Sequence, residues 1–150
     1  MSENNPIKVF VVHTFAEHPD HMRVFEYLES RPNFYYQNCS QPDATVGSGG
    51  DSMREELRRQ IEPAEIVILP VTLFAANPVL VTFEIDTAKG MKKPVLAIKS
   101  FGETIAIKKS LLDKADDIVD WNNRSITEAI KRLARNDASG QWEVIEFKLD

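Results

Sequence analysis

Glu65-Ile-Val-Ile-Leu-Pro-Val71, Thr72-Leu-Phe-Ala-Ala-Asn77 and Pro78-Val-Leu-Val-Thr-Phe-Glu84-Ile85 follow one another without a break, and their reading decides the fold. The first run is apolar and β-branched on both faces, as a strand covered by helices on both sides must be. Asn77 can accept a backbone N–H at a helix start, and Pro78 suits the first helical position, where its missing N–H has no partner to lose. A buried strand, a short loop and a helix therefore run in sequence, and Gly90 closes the helix. From Ile66 to Phe83 no side chain ionises, and the first that does is Glu84, between Phe83 and Ile85. Either it lies on the wet face of a half-buried helix, or it is a site carboxylate at the rim of the core, near where open α/β sheets bind ligands.

The same alternation extends in both directions. Upstream, Ile7-Lys-Val-Phe-Val-Val12 reads as a central strand, followed by the loop His13-Thr-Phe-Ala-Glu-His-Pro-Asp20. Asp20 is a candidate cap for a helix that turns Val24, Phe25 and Leu28 inward and ends by Pro32. Phe34-Tyr-Tyr-Gln-Asn-Cys39 is a more polar strand, suited to the sheet edge. The loop Gln41 to Asp51 holds three of the six glycines and leads into a helix with Met53, Leu57 and Ile61 on its buried face, capped by Asp51 or Ser52 with Glu55 or Glu56.

Downstream, Pro94-Val-Leu-Ala-Ile98 is a fourth strand, Lys108 to Lys114 a short helix and Asp117-Ile-Val-Asp-Trp121 a weaker fifth strand. Ser125 to Arg135 is an amphipathic helix with Ile126, Ile130 and Leu133 on one side. The tail, residues 136–150, adds an edge strand or packs as an extension. Five apolar strands alternating with amphipathic helices predict one α/β domain, a flavodoxin-like three-layer sandwich around a five-stranded, mainly parallel sheet. Its binding loops then lie at the strand ends: His13 to Asp20, Gln41 to Asp51, Thr72 to Asn77 and Ser100 to Glu103.

Composition narrows the chemistry. A chain of 150 residues with a net charge of −5 offers no general attraction for nucleic acid or an acidic membrane. The single Cys39 cannot close an intrachain disulfide, no Cys/His spacing suggests zinc, and no apolar run approaches the roughly 20 residues that span a bilayer. A cytoplasmic protein without a metal is the expectation.

The familiar phosphate-binding motifs are missing. The first loop has no glycine, so it carries neither a dinucleotide fingerprint nor a Walker loop. Gly47-Ser-Gly-Gly50 precedes a helix but lacks the lysine of a phosphate loop, and it reads more simply as a loop. A phosphoacceptor receiver would need acids after the first and third strands, where His13-Thr14 and Pro70-Val71 stand. Of His13, His18 and His21, only His13 directly follows the central strand, where a side chain can meet a ligand.

Taken in order, Lys8-Val-Phe-Val-Val12, the glycine-rich loop, Glu65-Ile-Val-Ile-Leu69, Phe83-Glu84-Ile85 and Pro94-Val-Leu-Ala-Ile98 resemble a TIR-like domain. The likeness is closest to the bacterial TIR-like subfamily of Thoeris-type antiphage defence and spans about Ile7 to Arg135. The resemblance implies an NAD-processing enzyme, an NAD glycohydrolase or ADP-ribosyl cyclase type, that releases nicotinamide and an ADP-ribose-derived immune signal read by a downstream effector. It makes Glu84 the catalytic carboxylate and NAD the substrate, with no further cofactor. His13, Thr14, Phe15, Asp43, Ser48, Phe74 and Phe83 become the substrate contacts, in a site completed by a homo-oligomer or another TIR-like domain. Many TIR enzymes carry a tryptophan four residues before the glutamate; this chain has Leu80 there. Two other readings are a non-catalytic TIR-like assembly module and a nucleoside deoxyribosyltransferase-like enzyme, which also uses a glutamate in an α/β sandwich.

Overall fold

The computed structural model of the protein describes residues 1–47, 49–99 and 109–136. Its strands are β1 (Ile7–Val11), β2 (Tyr36–Asn38), β3 (Ile66–Pro70), β4 (Val95–Ile98) and β5 (Asp117–Val119). The helices are α1 (Pro19–Glu29), α2 (Gly50–Ile61), α3 (Thr72–Ala76), α4 (Pro78–Gly90), α5 (Lys109–Leu112) and α6 (Asn123–Arg135). All four strand pairs are parallel and the order is β2-β1-β3-β4-β5, with Val9 opposite Ile66, Val67 opposite Val95 and Ala97 opposite Ile118. This is the expected flavodoxin-like sheet, with polar β2 at an edge.

Alternation along each strand feeds two cores. Phe10, Val67, Leu69 and Val95 point to the side covered by α2 and α4, where Leu57, Ile61, Val81 and Ile85 meet them. Val9, Val11, Ile66, Ile68, Leu96 and Ile98 point to the side covered by α1 and α6, against Val24, Leu28, Ile126 and Ile130. Both faces of the central strands lose water, which is why they read as unbroken apolar runs. Each fully buried Leu or Ile contributes about 1.5–3 kcal/mol.

Local signals behaved unevenly. Asn77 caps α4 as expected, its side chain accepting from Leu80 N at 3.1 Å. The cap of α1 is His18 rather than Asp20: His18 Nδ1 accepts from Asp20 N at 3.1 Å, because Pro19 takes the first helical position and pushes Asp20 into the first turn. That helix ends at Glu29 with Ser30 as its cap, before Pro32. Neither Asp51 nor Ser52 caps α2; Gly49, at φ 100°, enters it without a side-chain bond, and Glu56 pairs with Arg59 and Gln60 instead. Gly90 is the last residue of α4, but the left-handed turn beyond it falls on Lys92. Thr72 to Ala76, expected as loop, forms the single helical turn α3. The expected loop from Ser100 to Glu103 and the tail beyond Asn136 lie outside the described residues.

Candidate functional site

The buried stripe of α4 consists of Leu80, Val81, Glu84, Ile85 and Ala88, so the carboxyl sits in the middle of an apolar face. The rim expected from sequence is too shallow: Glu84 is 0% exposed, enclosed between α4 and the end of β1. Its Oε1 accepts the backbone N–H of His13 at 3.1 Å, and Oε2 has no hydrogen-bond partner among the described residues. Burial pushes the carboxyl well above its ordinary value, while the His13 N–H acts weakly the other way. The enclosure thus favours the neutral carboxyl, because one donor cannot replace the hydration an anion would lose.

His13 is equally enclosed. Its Nδ1 accepts from Phe15 N at 3.1 Å, so the neutral ring carries its proton on Nε2 and donates to Gln60 Oε1 at 2.8 Å. Burial lowers its pKa to about 4, against the bond to Gln60, which favours the charged form. Gln60 is the residue that sequence reading passed over. Its Oε1 also accepts from Gln41 N at 2.9 Å, and its Nε2 donates to Gln41 O and Glu56 Oε2. One buried amide thus joins the end of β1 to the loop after β2. The signal was its place beside Leu57 and Ile61, a polar residue inside a buried stripe.

The remaining predicted residues divide. Thr14 and Phe15 are half-buried at the end of β1; Phe15 holds φ 58° and lies edge-on to the His13 ring at 4.8 Å. Phe74 packs against the same core from α3. Phe83 faces α2, where Arg54 and Arg58 lie 5.8 and 5.2 Å from its ring. Asp43 lines a different space, a cleft of about 620 Å³ beside α1 that Phe15 also borders. Ser48 lies outside the described residues.

A second polar link crosses the top of the sheet. Asp20, 7% exposed, accepts from Thr72 Oγ1 and pairs with Arg23, fastening α1 to α3. No group of three or more His, Cys, Asp or Glu among the described residues is placed to hold a metal ion. No described helix is long and apolar enough to cross a membrane.

Strand order, two helical layers and a carboxyl buried at the carboxyl ends of the strands define a flavodoxin-like α/β protein. No protein-family model and no curated protein matches the chain. Among solved structures it is similar to the response-regulator domain of CheB from Thermotoga maritima, with a TM-score of 0.56 and 13% identity over 89% of this chain and 99% of that one. At that identity the likeness is one of fold. The end of β3 carries Val71 and Thr72 and the end of β1 carries Val12 and His13, so neither presents the acids that a phosphoacceptor site requires.

Proposed function

We propose that the chain is a TIR-like NAD-processing enzyme in which Glu84 is the acting carboxyl. The observation that carries this reading is Oε2 of Glu84, a buried polar atom with no partner among the described residues, at the strand end where this class of sheet binds ligands. A carboxyl perturbed by desolvation near a ligand-binding strand end is a candidate functional group. The bond between nicotinamide and ribose breaks with its electron pair leaving on a ring that is already cationic, so no proton need be delivered. What remains is an oxocarbenium-like sugar, which a carboxylate stabilises until water or another nucleophile adds. In this reading His13, Thr14, Phe15 and Phe74 would contact the nucleotide once the site opens.

Glu84 is closed off in this conformation, so turnover requires the first loop to move and the carboxyl to ionise, as when a second protomer completes the site. NAD incubated with the assembled protein should release nicotinamide on chromatography, and Glu84→Gln should stop that release while the fold is kept. Turnover unchanged in that variant refutes the assignment. Nucleosides run in parallel separate a deoxyribosyltransferase-like activity.

The enclosure of Glu84 favours one alternative, a non-catalytic assembly module in which the carboxyl is a core group. Signalling lost with Arg54→Glu and kept with Glu84→Gln would select it.

A further inference from the structure

The cleft beside α1 is a separate feature, since neither Glu84 nor His13 lines it. Its volume, about 620 Å³, is that of a small-molecule site. Phe15, Phe25 and Met22 supply apolar surface, and Glu17, Glu26, Glu29 and Asp43 place four carboxylates around it. Among the described residues, no Lys or Arg lines it.

Beneath them lies His21, only 4% exposed. Its Nδ1 donates to Val12 O at 3.1 Å, and the ring stands edge-on to Phe25 at 5.5 Å. The neutral ring therefore keeps its lone pair on Nε2, which has no partner among the described residues although His21 lines the cleft. A buried acceptor open to a cavity, aromatic walls and an anionic rim are complementary to a ligand with an N–H donor, a flat body and a positive charge. Polyphosphates are repelled by the same rim.

We propose that this cleft binds a small organic cation of the aryl-amidinium or aryl-ammonium type, with its ring between Phe15 and Phe25 and an N–H donated to Nε2 of His21. The cleft shares Phe15 and Asp43 with the nucleotide contacts expected from sequence, but neither Glu84 nor His13 lines it, so benzamidine binding and NAD turnover are separate readouts.

Benzamidine is a suitable probe, with benzamide as its neutral and benzoate as its anionic counterpart. Titrated into the full chain, benzamidine should move the imidazole ¹⁵N signal of His21 Nε2 in a saturable way, with benzamide weaker and benzoate weakest. Glu17→Gln and Glu26→Gln, both at exposed positions, should each weaken benzamidine by about two- to five-fold and leave benzamide unaffected. Equal binding of all three compounds, or signals that move away from His21, would overturn the proposal.

Discussion

The backbone N–H of His13 donates to Oε1 of Glu84 at 3.1 Å, a bond that spans 71 residues of sequence and ties the end of the second strand in the sheet order to the middle of α4. Among the described residues it is the one hydrogen bond of a fully enclosed carboxyl whose other oxygen has none. Site and core meet in that arrangement, and the first two predictions follow from it.

Glu84→Gln keeps an acceptor for His13 N without a titrating group, and it should change unfolding stability by less than about 1 kcal/mol. Glu84→Ala removes the acceptor and opens a void under β1, and should cost about 2–4 kcal/mol. Urea unfolding of the two variants measures the difference; equal losses would mean the bond to His13 contributes nothing.

The pH profile should be asymmetric. Glu84 has a folded pKa raised well above its ordinary 4.5, so its share of stability is complete below 4.5 and is lost as pH rises through the folded value. His13 is lowered from 6.5 to about 4, so its share is complete above 6.5 and is lost as pH falls through 4. As pH rises above 4.5 toward the folded pKa of Glu84, its contribution to stability should decline by up to about 1.4 kcal/mol per pH unit, and Glu84→Gln should remove that decline. A decline that persists unchanged in the variant would show that another group causes it.

Gln60 holds two loops at once. Gln60→Leu fills a similar space but strands His13 Nε2–H and Gln41 N, and should cost about 2–5 kcal/mol by calorimetry or denaturant titration. Gln60→Glu should instead raise the His13 pKa above about 4, as read by NMR titration of its ring protons. A pKa still near 4 in that variant would separate His13 from Gln60.

Arg135 ends α6 with a bidentate pair to Glu65, Nε at 2.7 Å and Nη2 at 2.9 Å, and also donates to the carbonyls of Asn5 and Pro6. The pair holds the Glu65 carboxyl below its ordinary value. Because the planar fork makes contacts an ammonium cannot reproduce, Arg135→Lys should recover less than half of the stability lost in Arg135→Ala, about 1–2 kcal/mol by thermal unfolding. Full recovery in the lysine variant would reduce the pair to simple charge.

How much of this was legible in the chain depends on distance along it. Strand runs such as Ile66 to Pro70, the Asn77-Pro78 helix start and the inward spacing of Ile126 and Ile130 were readable, because each depends on neighbours within a turn or a pleat. The helix caps at Asp20 and Asp51 were misread: Pro19 at the first helical position left capping to His18 and put Asp20 inside the first turn, while Gly49 enters α2 without a side-chain cap. The depth of Glu84 was half visible, since Leu80, Val81, Ile85 and Ala88 surround it at helical spacing.

The amino-acid order alone determined that alternating strands and helices would build a parallel sheet with both faces covered, since apolar periodicity is a local property and burial its only stable outcome. Only the tertiary structure decided that Glu84 is sealed beneath His13, that Gln60 bridges two loops and that His21 opens onto a cleft of its own. These depend on groups far apart in the chain reaching hydrogen-bond distance, and that proximity comes from crossovers and packing rather than from any single segment.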